Sequence, residues 1–259
     1  MPSSPTSRTH RRRWLTGLGG AAALVVAFPG VALAAPPPAL PASADALDRT
    51  FQPAYDYDTD GCYATAAIGP DGSVSPGLKP TGALNGQCRD ASDLDSTNGY
   101  SRSKCNNGWC AILYGSYFEK DQALPGISLG GHRHDWEHVV VWVQDNQVKY
   151  VSTSNHGSFT VHGASQMRFE GTHAKVVYHK DGISTHCFRA AGSGDEPPEN
   201  HKRTWQYPTL VGWNGYPAGI REKLVAYDFG SAHFGLKDGS FESHLASAKP
   251  SGIAFDPYA

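Results

Sequence analysis

The run from Gly131 to Trp142, GHRHDWEHVVVW, places ionisable side chains directly before a set of apolar strand formers. If residues 135–143 form one extended strand, Asp135 and Glu137 share a face with the alternate valines that follow, because side chains alternate along a strand. The valines require a hydrophobic core. We therefore expect the two acids at the end of the sheet, where that face leaves the core and opens into a pocket.

Two carboxylates about 7 Å apart on one face of a strand repel each other unless a positive charge lies between them. His132, which follows the Gly130-Gly131 turn, can reach the same place. An oxygen-rich pocket with one or two imidazoles favours a hard divalent ion such as Mg²⁺, Ca²⁺ or Mn²⁺ over zinc. The run therefore predicts a divalent-cation site around Asp135 and Glu137.

Other interpretations of this run are open on spacing alone. His132, His134 and Glu137 give His-x-His-x-x-Glu, which resembles the metal motif of cupin-like oxygenases, although the usual spacing to the glutamate is longer. A metallohydrolase would need His-Glu-x-x-His on a helix, and this segment has neither the spacing nor a helical pattern. A solvated surface strand is the remaining alternative, and the adjacent valines argue against it.

The first 34 residues have the pattern of an export signal, with a basic start, an apolar run and the cleavable sequence Ala32-Leu33-Ala34. Arg11-Arg12 also fits a twin-arginine pattern. A membrane anchor is the alternative, but the apolar run is short and three prolines follow it. We expect a secreted chain that starts near Ala35, with a loosely held Pro- and Ala-rich leader over 35–47 and one domain over 48–259.

The charge of the mature chain limits its partners. Removing residues 1–34 takes away four arginines and no acid, so 18 of the 22 basic residues remain against 24 acidic ones, a formal charge of −6. Nucleic acids and anionic bilayers select clustered Lys and Arg. We therefore expect neither a nucleic acid nor an anionic bilayer surface as the main partner, and no nucleic-acid partner.

All five cysteines lie in the part of the chain that we expect to be exported, and disulfides persist in the oxidising environment outside the cell. They are Cys62, Cys88, Cys105, Cys110 and Cys187. Because five is odd, at least one thiol stays free or pairs outside the chain. A short bridge could staple the turn between Cys105 and Cys110; Cys62 and Cys88 would then close a longer loop and leave Cys187 free. A zinc ribbon needs two close pairs, and Cys62 and Cys88 are not one.

Short β-branched or aromatic segments separated by Gly, Asn or Asp turns dominate the second half of the chain. They predict strands at 109–118, 138–143, 148–152, 175–178 and 186–189. A short helix could fit near 91–98, and another over 218–227. The sequence therefore predicts one β-dominated sandwich or barrel with a few peripheral helices.

Asp56, Asp58 and Asp60, followed by Gly61, reproduce the first half of a calcium-binding loop. The twelfth position is Ala67 rather than glutamate, and no flanking helices are evident. Two interpretations stay open: a structural calcium site, or an Asp-rich turn near a disulfide that holds no ion.

Gly131-His132-Arg133-His134-Asp135-Trp136-Glu137 matches, residue for residue, the hallmark heptapeptide of the necrosis-inducing protein family, the secreted necrosis- and ethylene-inducing peptide-like cytolysins of plant-associated microbes. Further blocks resemble the family in the same order, at 56–72, 105–122, 171–189, 205–217 and 227–241. The chain is therefore similar to this family over most of its mature length. Its cysteines resemble those of the subgroup with two disulfides.

This resemblance implies an all-β dominated, single-domain β-sandwich similar to actinoporins and fungal lectins, with an exposed divalent cation, Mg²⁺ or Ca²⁺, in a pocket. It implies that Asp135 and an upstream aspartate, best matched by Asp121, bind the ion directly. His132 and Glu137 would hold water around the ion, and His186 would join them.

The resemblance also implies a function. Family members bind the sugar head group of plant glycosylinositol phosphorylceramide sphingolipids and then disrupt the plasma membrane. We therefore expect a secreted, monomeric toxin that acts on this membrane glycosphingolipid without spanning the membrane and is not an enzyme. The aromatic residue that some members place on the membrane-facing loop has no clear counterpart in 179–182. A non-lytic, lectin-like member and a metal-dependent β-sandwich or cupin-like enzyme, an oxygenase or a carbohydrate-active one, are the alternatives.

Overall fold

Strands make up most of the regular structure in the computed structural model, which describes residues 1–4 and 35–259. The predicted export signal, apart from residues 1–4, therefore lies outside the described residues. The strands are β1 (Ala54–Tyr57), β2 (Asn98–Asn106), β3 (Trp109–Asp121), β4 (His132–Gln144), β5 (Gln147–Asn155), β6 (Ser158–Gly163), β7 (Phe169–Glu170), β8 (His173–Lys180), β9 (His186–Ala190) and β10 (Thr209–Gly212). The α-helices are α1 (Ala46–Thr50), α2 (Ile220–Ala226) and α3 (Phe241–Ala248).

Two sheets face each other. The larger sheet has the order β10-β2-β3-β4-β5-β6, with β10 parallel to β2 and every other pair antiparallel. In the smaller sheet β8 pairs with β1 in parallel and with β7 and β9 in antiparallel fashion. Phe118 of β3 stacks on Tyr178 of β8 with ring centroids 3.7 Å apart. The predicted β-sandwich is confirmed.

Strand β4 is buried on both faces. Val139, Val141 and Val143 lie in the core between the two sheets. Trp136, Val140 and Trp142 lie in a second core, together with apolar residues of α2, α3 and the C-terminal segment. The alternation predicted for this strand is therefore confirmed, and α2 and α3 cover the face that the smaller sheet does not.

The five predicted strands are all present, and several extend further than their apolar residues do. The helix predicted over 218–227 is α2, whereas the one near 91–98 is a 3₁₀-helix, Ala91–Asp95. Helix α3 was not predicted.

The expectation of a loosely held leader over 35–47 is wrong. Leu40 and Ala44 are buried. The Asn98 side chain accepts a hydrogen bond from the Leu40 backbone N–H at 2.7 Å and donates one to the Leu40 carbonyl at 3.0 Å. The segment is fixed because the Asn98 side chain forms hydrogen bonds with its backbone and because Leu40 packs in the second hydrophobic core.

The cysteines pair as the spacing suggested. Cys62 bonds to Cys88 and Cys105 to Cys110, while Cys187, the fifth cysteine and also within the described residues, is unpaired and buried. Along 1–4 and 35–259, no helix is both long and apolar enough to cross a membrane.

Candidate metal centre and pocket

The candidate site forms where β3 ends and β4 begins. Asp121, the last residue of β3, pairs with His132, the first residue of β4. The intervening loop returns through Gly131, where an added Cβ would lie only 2.7 Å from the Asp121 carbonyl oxygen. A glycine is therefore needed for the backbone to come this close.

His134 changes the direction of the side chains in β4. In a regular strand His132 and Asp135 would point to opposite faces. His134 has a positive φ of 61°, which interrupts the alternation. One ligand atom each of Asp121, His132 and Asp135 then lie within 4.8 Å of one another. The structure therefore brings together three of the five predicted metal-site residues.

Hydrogen bonding sets the tautomer of His132. Its Nδ1 lies 2.6 Å from the carbonyl oxygen of His134. A carbonyl oxygen can only accept, so Nδ1 carries the proton and Nε2 keeps its lone pair for a ligand. This arrangement, with one ring nitrogen donating to the backbone, is typical of metal-binding histidines.

His186 holds Asp121 in place from β9. Its backbone N–H and its Nδ1 both donate to the Asp121 carboxylate, Nδ1 at 2.6 Å from Oδ1. Its Nε2 lies 3.7 Å from Oδ1 of Asp60, but within the described part of the chain this buried atom has no hydrogen-bond partner. Burial disfavours the charged ring, but the hydrogen bond to Asp121 and the nearby negative charge of Asp60 outweigh it and raise the pKa of His186 to about 9.

Asp135 and Glu137 are both buried at the end of the face between the sheets, as predicted. The Tyr178 hydroxyl donates to Asp135 at 3.1 Å, and the Ser154 hydroxyl donates to Glu137. Burial, followed by repulsion from Asp121, raises the pKa of Asp135 to about 7. Burial and the charge of Asp135 raise the pKa of Glu137 well above its usual value.

These shifts mean that the protein groups around the carboxyls do not supply enough positive charge to keep them ionised. A divalent cation would supply it, and the donor set fits such an ion: two carboxylates and an imidazole with a free Nε2. Asp121, Asp135 and His132 are placed to bind it. Glu137 and His186 border the same place.

The site opens into a cavity of 570 Å³. Besides the ligand residues, its lining includes His156 and Phe159 from the β5–β6 region and His244 from α3. His138 also lines the cavity, and its ring centroid lies 4.9 Å from that of His244. Polar and apolar side chains both line the cavity, a lining suited to a sugar, which presents hydroxyl groups and apolar C–H faces.

The other residues of the heptapeptide hold the structure together. Trp136 packs against Phe229 and Phe234, and His134 shares a 2.6 Å hydrogen bond with the Tyr117 hydroxyl. Burial lowers the pKa of His134 to about 4, so this ring is neutral. Because His134 is held by Tyr117 and lies outside the group formed by Asp121, His132 and Asp135, the structure does not assemble His132, His134 and Glu137 as the ligand set of a cupin-like site.

The calcium-loop hypothesis for Asp56, Asp58 and Asp60 is not supported, because the three side chains diverge. Asp56 is fully buried and accepts hydrogen bonds from the backbone of residues 199 and 200. Asp58 forms an ion pair with Arg189, and Asp60 points toward His186. Alternate residues of a continuous strand would share one face, but β1 ends at Tyr57 and the turn after it sends the three side chains apart. Asp60 therefore lies at the edge of the main site.

Two further residues of the site were missed by sequence reasoning. Tyr178 contacts Asp135, and Ser154 contacts Glu137. Both lie in strands that pack beside or pair with β4, and no local signal in either segment indicates that contact.

The raised pKa of Asp135 gives a prediction about pH. Without an ion, the Asp135 carboxyl contributes most to the stability of the fold at pH values below its pKa in the unfolded chain. That contribution is lost as the pH rises through its pKa in the folded protein, about 7. Calcium or magnesium ions should therefore stabilise the protein more at pH 8 than at pH 5. At about 100 times Kd, the ion adds about 2.7 kcal/mol, which thermal denaturation would detect.

Two amide substitutions test this prediction, one at the site and one as a matched control. Asp135→Asn should remove the ion-dependent stabilisation at pH 8 without unfolding the sandwich. Asp145→Asn, in the turn at the other end of β4, should keep it. Equal stabilisation of the wild type at both pH values would contradict the assignment of Asp135.

Comparison with known proteins places this site in a family. Residues 45–248 match the family model described as necrosis inducing protein (NPP1). A curated relative, NLP effector protein 10 of Phytophthora capsici, is 36% identical over 196 residues, which cover 73% of this chain and 77% of the relative.

Solved structures agree with the sequence match. One described as a toxin fold for microbial attack and plant defence has a TM-score of 0.71 at 31% identity, and covers 83% of this chain and 97% of its own. The complex of NLPPya with mannosamine has a TM-score of 0.68 at 30% identity, with 82% and 95% covered. The non-toxic HaNLP3 protein has a TM-score of 0.70 at 26% identity, with 83% and 98% covered. Since the family model spans most of the chain, this protein belongs to the necrosis-inducing protein family and has the β-sandwich toxin fold.

Proposed function

We propose that this protein is a secreted cytolysin that binds the sugar head group of plant glycosylinositol phosphorylceramide through a divalent cation and then disrupts the plasma membrane. The observation that carries the proposal is the convergence of Asp121, His132 and Asp135 within 4.8 Å at the base of an open cavity. The relative solved with mannosamine supports a sugar ligand.

The residues of the pocket have separate tasks in this proposal. Asp121 and Asp135 hold the cation, and His132 offers Nε2. The bound cation supplies exchangeable coordination positions that accept vicinal sugar hydroxyls. Glu137 accepts a hydrogen bond from Ser154 and can accept another from a water or a sugar hydroxyl beside the cation. His186 can donate a hydrogen bond to such a water or hydroxyl. A cavity of 570 Å³ lies inside the range of roughly 300–1,000 Å³ for small-ligand sites.

Apolar side chains on the loops that flank the pocket supply the membrane contact. Leu124, Ile127 and Leu129 are exposed on the loop that joins Asp121 to His132, and Leu129 is 74% exposed. Ile183, 89% exposed, lies on the loop that precedes His186. Because these loops carry the pocket's ligands at their ends, a head group in the pocket brings the apolar residues to the bilayer surface.

The proposal includes no catalysis. Asp135 and Glu137 lie two residues apart on one strand, and holding the ion keeps them ionised. A glycosidase instead needs one protonated carboxyl facing the other across the scissile bond. The lipid should therefore be recovered unchanged after leakage.

A non-lytic, lectin-like function is the second candidate. The observation that favours it is the loop before His186, which presents Ile183 in place of an aromatic residue, together with the similarity to the non-toxic HaNLP3 protein. In that case the head group would bind without leakage.

Dye release from vesicles tests the proposal. Vesicles with plant glycosylinositol phosphorylceramide should leak when calcium or magnesium is present, and removal of the ion by a chelator should reduce leakage at least tenfold. Asp135→Asn should be as inactive as the chelated protein, whereas Asp145→Asn should be fully active. Mass spectrometry of the recovered lipid should find it intact.

Three results would count against this account. Leakage that persists both with the chelator and in Asp135→Asn would show that the cation has no part in recognising the head group. A cleaved or oxidised head group would indicate an enzyme. Head-group binding without leakage would establish the lectin-like alternative.

A second prediction separates membrane contact from sugar binding. The double variant Leu129→Asn with Ile183→Asn should bind the soluble head-group sugar as the wild type does, but should lose most of its leakage activity, because it lacks apolar surface for the bilayer. The matched control is Tyr258→Asn, because Tyr258 is also exposed, at 69%. It lies far from the two loops: the nearby Asp256 is hydrogen-bonded to Asn106 at the end of β2, beside the start of β3, whereas Asp121 ends β3. Equal loss in both variants would rule out a specific role for the two loops.

A further inference from the structure

We propose that Cys187, His179, His156 and Asp181 form a second metal centre, a zinc site that joins the β5–β6 turn to the β8–β9 hairpin. One ligand atom each of His156, Asp181 and Cys187 lie within 4.8 Å of one another. None of these three belongs to the carboxylate centre described above. The inference does not depend on what the pocket binds.

The strands bring these four residues together from distant parts of the sequence. His156 lies in the two-residue turn between β5 and β6. His179 in β8 and Cys187 in β9 are directly paired across the hairpin, which places both side chains on the same face. Asp181 follows β8 immediately. The cluster thus spans both sheets of the sandwich.

Two pairs of donor atoms already have the spacing of neighbouring ligands in a zinc site. His179 Nε2 lies 3.5 Å from Cys187 Sγ, and His156 Nε2 lies 3.3 Å from Asp181 Oδ2. In a tetrahedral site with bonds of about 2.0–2.3 Å, neighbouring ligand atoms are about 3.3–3.6 Å apart. Small side-chain rotations would therefore bring the four donor atoms into contact with one ion.

The types of donor select zinc. A thiolate and two imidazoles with one carboxylate suit Zn²⁺, whereas the carboxylate-rich centre suits a harder ion. Cys187 is the one cysteine of the described chain left outside a disulfide. His156 Nδ1 lies 3.3 Å from the Thr185 hydroxyl, a contact that leaves Nε2 directed toward Asp181.

Such a site would fix one wall of the pocket. His156 and Thr185 both line the cavity that contains the carboxylate centre. Without metal, the link between the two turns consists of weak polar contacts, including a His156–Asp181 pair that is largely exposed and adds little stability. A zinc ion would replace these contacts with bonds that hold the two turns at a fixed separation.

Cobalt substitution tests the proposal on the full chain purified without metal. Cobalt bound by Cys187 should produce a thiolate-to-metal charge-transfer absorption that saturates at one equivalent, and zinc should displace it. Cys187→Ser should lack this absorption. Asp135→Asn should keep it, because the carboxylate centre contains no thiolate; this variant separates failure here from failure of the proposed function.

A second pair of variants covers the case in which Cys187→Ser fails to fold. His156→Ala changes a partly exposed ligand in a turn and should weaken zinc binding at least tenfold in a competition titration. His233→Ala, an exposed histidine of the same cavity outside the cluster, should leave it unchanged. The proposal is overturned if the wild type shows no thiolate absorption, or if His156→Ala binds zinc as tightly as His233→Ala does.

Discussion

Electrostatic repulsion among three buried carboxyl groups is the constraint on which the candidate site depends. Asp121, Asp135 and Glu137 lie together where β3 and β4 meet. The charged His186 ring is committed to Asp121, and Tyr178 and Ser154 offer hydrogen bonds rather than charge. Burial, together with this repulsion, raises the pKa values of Asp135 and Glu137. A divalent cation would remove the repulsion, and the proposed function connects such an ion to ligand recognition.

The sandwich can carry this unfavourable cluster because the middle of the same two strands is strongly stabilised. Alternate residues of β4 enter two hydrophobic cores, one against the smaller sheet and one against α2 and α3. Apolar burial of this extent contributes about 25 cal/mol for each Å² removed from water. The strand ends are therefore held in register by their middles, and the carboxyls occupy the positions where the cores stop.

The sequence predicted the sandwich from local alternation and both disulfides from the spacing of the cysteines, and the heptapeptide marked where His132 and Asp135 come close to Asp121. It did not predict how β3 and β4 extend over polar residues, since Asp121 and His132 carry no strand preference of their own. The positive φ of His134 depends on its packing against Tyr117 and Phe229. The divergence of Asp56 and Asp60 likewise depends on partners far away in the chain. Helix α3 could have been found, because Phe241, Leu245 and Ala248 have helical spacing.

Proton release on ion binding tests the central claim most directly. Calorimetric titration of calcium or magnesium, repeated in buffers of different ionisation enthalpy, measures how many protons leave the protein. If the ion binds the Asp135 carboxyl, whose pKa is about 7 without it, more protons should be released at pH 6 than at pH 8. Tight binding with equal proton release at both pH values, or unchanged binding to Asp135→Asn, would contradict the account.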